Sequence, residues 1–433
     1  MDGFRDRDVT QLSATAAVAQ IAEGRLTSRA LVDALLARIS LRDPDVRAWL
    51  ALSETAREQA EECDAVPAAR RGRLHGLPIG VKDVFDTFDL PTTHNSPLYE
   101  GFRPAADATV VDLLRSEGAI ILGKTDTTEF AAAGRNAATA NPHDLSRTPG
   151  GSSAGSAAAV ADFHVPLALA TQTGGSTIRP ASFCGVVGFK PSFGRVSREG
   201  VKIYAQSFDT VGWYGRSVDD VALLASVLGL DEEFPAAGFS RTPRIALTSG
   251  PYKDRLSPES LMALTVARER LEGAGHRVQV LDLPPEFEPL DRHHRVILHR
   301  EGQASFRNLA RRHSSSLHDD FHHRVENRDG SSLADLARAY DAMGSARIAF
   351  DTFMGDFDIL IAPSAPGFAP IGRGPGDPVF NASWTLLGVP CLNIPIPLGS
   401  LALPIGVTLT ARRFADKHLL DVARHLEPVL NPT

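Results

Sequence analysis

Apolar residues recur at helical spacing over 14–22 and 28–39, with Thr27 or Ser28 where an N-cap belongs, so residues 8–40 are predicted to be helical. The rhythm then shortens. Residues 77–84 are a β-rich apolar run bounded by Gly and Pro, read as a strand that ends at the polar Lys82. A helix over 109–116 precedes a buried strand over 119–122, and a helix of small residues over 156–163 precedes another over 166–171. Farther along, a strand at 244–247, a helix near 258–274 and a strand over 278–283 repeat the alternation. Strands at 358–363, 390–397 and 404–409 and a closing helix over 416–426 complete the pattern. Strands alternating with helices place the chain in the α/β class. No internal repeat is visible.

The length of 433 residues allows two or three domains, or one large α/β unit. An apolar fraction of 43% and a charged fraction of 22% are those of a soluble globular protein with an ample core. With 45 basic against 52 acidic residues, the formal charge of −7 argues against nucleic acid as a partner. Cys63, Cys184 and Cys391 are scattered, which suits a reducing cytoplasm better than a disulfide scaffold. The mixed, acidic start Met1-Asp2-Gly3-Phe4-Arg5-Asp6 does not read as a secretory signal, and no apolar run is long enough to span a bilayer. Between residues 235 and 344 charge density rises, glycine thins, and eight of the 14 histidines occur, which reads as a helical, variable layer over the core.

The strongest chemical signal is a Gly/Ser-rich block over 149–191, in which Ser152 and Ser176 each end a Gly-Gly pair. Glycine lets a backbone approach a ligand closely. A serine there can attack while nearby N–H groups receive the developing oxyanion. Apolar runs at 157–161, 165–170 and 186–189 rule out a flexible linker.

Three other patterns are tempting. Residues 118–125 spell G-x-x-x-x-G-K-T, but their variable positions are Ala-Ile-Ile-Leu, a buried strand rather than the exposed turn a phosphate loop needs. Gly151-Ser152-Ser153-Ala154-Gly155 spells a nucleophile elbow, yet the polar residues 141–149 before it are no buried strand. His293-His294 and His322-His323 lack metal-ligand spacing and read as surface histidines. What remains is Lys82 with the two serines. A lysine can act as a base if burial lowers its pKa, since desolvation disfavours the ammonium form. A lone lysine that merely snorkels to the surface is the competing account.

Gly80-Val81-Lys82-Asp83, Pro149-Gly150-Gly151-Ser152-Ser153-Ala154-Gly155-Ser156 and Thr173-Gly174-Gly175-Ser176 together resemble the amidase signature family. Phe183-Cys184-Gly185-Val186-Val187-Gly188-Phe189-Lys190-Pro191 and Asp209-Thr210-Val211-Gly212 extend the likeness, which is strongest over 75–220. It implies one amidase domain over 1–433, with a mixed, twisted sheet covered by helices on both faces. The variable layer (235–344) and the C-terminal strands and helix (355–428) are parts of that domain. By resemblance Ser176 is the nucleophile, and Ser152, beside a cis peptide bond, relays the proton to the base Lys82. The N–H groups of Thr173, Gly174, Gly175 and Ser176 form the oxyanion hole. The implied reaction is hydrolysis of a linear amide without a metal or organic cofactor, and family members are often homodimers.

Two departures bear on the substrate. Gln172 stands where the family often has Asp, and Arg179 lies three residues after Ser176 rather than two. This variant resembles malonamidase and 1-carboxybiuret hydrolase, in which the substrate is a small amide bearing a carboxylate. Arg179 is then a carboxylate clamp, or else it pairs with an acid to hold its loop. The alternatives are a glutaminase subunit of the glutamyl-tRNA amidotransferase A type, for which this chain reads as short, and a non-catalytic binding member.

Overall fold

The computed structural model describes residues 9–132, 134–232, 242–399 and 403–432. Its strands are β1 (Trp49–Leu52), β2 (Pro78–Lys82), β3 (Ile120–Thr125), β4 (Leu167–Gln172), β5 (Val187–Lys190), β6 (Thr210–Gly215), β7 (Ile245–Leu247), β8 (Val278–Val280), β9 (Ile359–Pro363), β10 (Cys391–Pro395) and β11 (Gly406–Thr410). They form one eleven-stranded sheet in the order β1-β3-β2-β4-β6-β5-β10-β11-β9-β7-β8. The β3-β2-β4 and β9-β7-β8 runs are parallel and the remaining pairs antiparallel, so the sheet is mixed.

All eight strands predicted from the apolar pattern are present. Three others escaped it. The four-residue β1 lies at the sheet edge with every residue at least partly exposed, and β5 and β6 carry Gly188, Gly212 and Gly215, which dilute strand propensity.

Successive residues of a strand face opposite sides of its sheet, and here both sides are covered. Ile359, Ile361, Val407 and Leu409 pack with Leu419, Leu420 and Val422 of the closing helix Asp416–Leu430. Leu360, Ala362 and Cys391 belong to a second cluster with Leu290, Ile297, Phe350 and Trp384. These come from the helices Leu290–Arg312, Leu333–Phe353 and Val379–Leu387. The variable stretch thus supplies two strands at one sheet edge and a helical cover for the second face, though its residues 235–241 lie outside the described residues. Among the described residues, no helix is long and apolar enough to cross a membrane.

The parallel pair β2 and β4 brings Lys82 and Gln172 to the same edge, because Ile79 faces Leu167 and Val81 faces Leu169. Chemistry in α/β sheets gathers at such carboxyl ends. The small-residue helix Ala154–Ala161 packs against both strands, starting just after Ser152. Its Gly155 is required by close approach: a Cβ there would lie 2.3 Å from the Ala48 carbonyl oxygen and 2.4 Å from the Asp126 nitrogen. Gly155→Ala is expected to cost about 1–3 kcal/mol by overpacking. Denaturant titration would read this as a lower midpoint at unchanged slope, and an unchanged midpoint would refute it.

Candidate active site

Lys82 is wholly buried, so the snorkelling account is excluded. Its Nζ lies 2.7 Å from Ser152 Oγ, 2.7 Å from Thr171 Oγ1 and 3.0 Å from Ser153 Oγ. Burial holds the amine well below the usual lysine range, and the nearby Asp209 carboxylate only partly offsets this. The Gly151–Ser152 peptide bond is cis. Ser153 serves this centre without being a nucleophile elbow: its Oγ donates to the Thr171 carbonyl and accepts from the Thr171 N–H.

Ser176 sits in the turn between β4 and the helix Ile178–Cys184, with 9% of its surface exposed. No acceptor among the described residues meets the amides of Thr173, Gly174, Gly175 or Ser176. Their surroundings are nonetheless tightly bonded. Thr173 Oγ1 donates to Asp209 Oδ1 at 2.6 Å, and Asp209 also accepts from the amides of Tyr204 and Ala205. Burial pushes the Asp209 carboxyl up to about 6 despite these bonds. Gln172 uses both ends of its amide. Its Oε1 accepts from the N–H groups of Thr177 and Ile178, and its Nε2 donates to Thr385 Oγ1. An aspartate in that place could accept but not donate.

Arg179 is buried, and burial brings its guanidinium down to about 10. Its Nε donates to the Pro375 carbonyl and its Nη2 to the Gly151 carbonyl, each at 2.6 Å. The side chain therefore fastens the peptide ahead of Ser152. Its Nη1 is buried without a partner among the described residues.

Of the histidine pairs expected at the surface, only His294 is buried. His294 is 3% exposed, because its face of the helix Leu290–Arg312 turns inward and stacks the ring on Phe208 at 4.4 Å. His293, His322 and His323 are half-buried. The phosphate-loop match also resolves as read from the sequence, since β3 is buried throughout and Lys124 pairs with Asp83.

Thr171, Asp209, His294 and Thr385 do not stand out as site residues in the sequence. Asp209 enters there only as part of a matching motif. Thr171 directly precedes Gln172, His294 stands out only as one of a pair read as surface, and Thr385 carries no local signal.

The sequence profile of the family described as Amidase matches residues 30–420. The A-type subunit of the glutamyl-tRNA(Gln) amidotransferase from Lysinibacillus sphaericus is 34% identical over 461 aligned positions, covering 94% of each chain. The aligned positions outnumber the 433 residues of this chain, so the relative carries stretches that this shorter chain lacks. The structure of a protein from a vestigial complex that reveals the origins of an s-triazine catabolic enzyme superposes with a TM-score of 0.86. It is 29% identical, with 96% of this chain and 98% of that one covered. The corresponding A-type amidotransferase subunit from Thermotoga maritima gives a TM-score of 0.82 at 27% identity, with 98% and 96% covered. Matched over most of its length in both sequence and fold, this chain belongs to the amidase family, hydrolases of carbon–nitrogen amide bonds.

Proposed function

We propose that the protein hydrolyses a small linear amide bearing a carboxylate, through an acyl-enzyme on Ser176 and a proton relay from Ser152 to Lys82. The observation that carries this reading is the buried Lys82 amine, held by burial well below the usual lysine range, 2.7 Å from Ser152 Oγ. A neutral amine has two N–H donors and one lone pair. Donating to Ser153 and Thr171 leaves the lone pair for the Ser152 hydroxyl proton. Ser152 Oγ then takes the proton from Ser176 Oγ as that oxygen bonds to the substrate carbonyl carbon. The carbonyl electron pair moves onto oxygen, and the free amides of 173–176 receive it. Collapse expels the amine, which leaves with the proton returned by Lys82 through Ser152. Water, activated by the same relay, releases the acid and restores Ser176.

The carboxylate reading is supported by the buried Arg179 Nη1, a charged donor without an acceptor among the described residues, since burying such a group unpaired is costly. It is the finer, malonamidase-like reading of the Arg179 position. Similarity to amidotransferase subunits supports a second reading, glutaminase action within a complex. Glutamine is itself a primary amide bearing a carboxylate, so the same site chemistry serves both.

An ammonia-release screen with malonamate, ureido acids, aryl amides and glutamine tests the proposal. Turnover is expected with a carboxylated amide, and exclusive turnover of neutral aryl amides would overturn the substrate class. Glutamine alone, dependent on a co-purifying partner, would select the second reading. Arg179→Ala is expected to raise KM for the carboxylated amide by about tenfold or more, as a lost charge-assisted pair would, beyond any loss on neutral amides that comes from releasing the Gly151 carbonyl. Equal losses on both would leave Arg179 only its hold on Gly151 and Pro375.

A further inference from the structure

Each peptide plane of the loop around Ser176 has its carbonyl held from behind. His294 Nε2 is 2.8 Å from the Thr173 oxygen, so this nitrogen carries the ring proton and donates it. Thr385 Oγ1 donates to the Gly174 oxygen at 2.7 Å, and is itself fixed by the Gln172 Nε2 donor at 3.0 Å. The Gly175 oxygen accepts from the Arg179 amide at 3.0 Å. In a trans peptide the C=O and the following N–H point in opposite directions. Each carbonyl held in this way fixes the opposite direction of the N–H that follows it, at Gly174, Gly175 and Ser176. Those are the amides that find no acceptor among the described residues.

Glycine makes this loop compliant, since Gly174 and Gly175 lack the side chains that would restrict their rotation. A Cβ on Gly174 would sit 3.8 Å from the His294 ring and one on Gly175 3.1 Å from Asn381. Nothing intrinsic to the two glycines selects one orientation of their peptides. The selection comes from outside the turn, from helices remote in sequence: His294 is 121 residues from Thr173 and Thr385 is 211 from Gly174.

We propose that His294 and Thr385 are positioning residues that preorganise the oxyanion-binding amides, acting through the Thr173 and Gly174 carbonyls. The inference rests on the reading of Ser176 as nucleophile. It places a function in the helical layer over 290–312, which has no motif of its own. Preorganised donors act because they need no reorganisation as charge develops. Releasing one carbonyl should thus weaken transition-state stabilisation and leave binding of the uncharged ground state alone. His294 is suited to this work, because burial pushes its ring down to about 4 and keeps it neutral across the working range.

The test uses a fluorophosphonate, whose phosphoryl oxygen takes on oxyanion charge as the serine oxygen bonds to phosphorus and re-forms P=O as fluoride leaves. Inactivation is measured on the full-length protein as a maximal rate and a half-saturation constant, with the adduct mapped by mass spectrometry. Thr385→Val keeps the shape and removes the donor. It is expected to lower the maximal rate by about 10- to 100-fold, somewhat less than the loss of a direct oxyanion donor. The half-saturation constant should stay put, while the melting temperature falls by about a few degrees because the buried Gln172 Nε2 loses its acceptor. Thr385→Ser should restore the rate. His294→Ala should behave like Thr385→Val, with partial recovery in His294→Gln, which retains an N–H donor. A Thr385→Val rate equal to wild type, with Ser176 labelled, would overturn this proposal alone. So would a rate loss that Thr385→Ser does not recover. Absence of any Ser176 adduct on the wild-type protein would overturn the nucleophile assignment and this proposal with it.

Discussion

Ser176→Ala is expected to abolish amide hydrolysis, with kcat lower by about 10⁶-fold, as when the nucleophile of a serine hydrolase is removed. The loss should be chemical rather than structural. The backbone of residue 176 is held by groups its side chain does not touch: the Tyr214 hydroxyl donates to its carbonyl at 3.2 Å, and the preceding carbonyl is held by the Arg179 amide. The free amides of 173–176 survive the substitution, so substrate should still bind. The expected signature is thus an unchanged melting temperature, no fluorophosphonate adduct and no acyl-enzyme in a burst experiment. Retained activity would move the nucleophile elsewhere. Ser152 would then be the first suspect, since its Oγ already touches the Lys82 amine.

The residues expected to act were legible in sequence because each belongs to a short run whose meaning is local. Gly150-Gly151-Ser152 and Gly174-Gly175-Ser176 announce tight backbone beside a hydroxyl, and Lys82 ends an apolar strand. Strand periodicity likewise placed β2 and β4, and parallel pairing did the rest by bringing their ends together. Asp209 and Thr171 were half-visible, lying in or beside recognisable motifs. His294 and Thr385 were invisible for a physical reason. Their partners are backbone carbonyls more than a hundred residues away, and a carbonyl has no residue type to match. His294 also misled, because a histidine beside another histidine on a charged helix resembles surface, and only packing against Phe208 shows otherwise. Gln172 read as a departure bearing on the substrate, with no partner assigned to it. In the structure it links the start of the helix Ile178–Cys184 to Thr385, through a donor that the commoner aspartate lacks.

Lys82 should control how activity depends on pH. The relay needs its neutral form, and burial lowers its pKa in the folded protein below the ordinary value of 10.5. The neutral fraction grows as pH rises through that lowered value, so kcat/KM should climb with pH and level off well below 10.5. The sign for stability follows from the same shift. Between the folded and unfolded values the unfolded chain binds a proton that the folded chain does not, so this group makes the protein more stable as pH rises across that window. The stability is lost again as pH falls through the folded value. Lys82→Ala should lower kcat/KM by about 10²- to 10⁴-fold, the range for a removed general base. Lys82→Arg separates charge from basicity. A guanidinium keeps the donors to the hydroxyls but stays protonated at any working pH, so this variant should be inactive on the whole profile, its ascending limb gone. A loss under tenfold in either variant, or the same ascending limb persisting in Lys82→Arg, would mean that another group takes the proton. Asp209 would then be the nearest alternative, since its carboxyl titrates near 6 and it already touches Thr173.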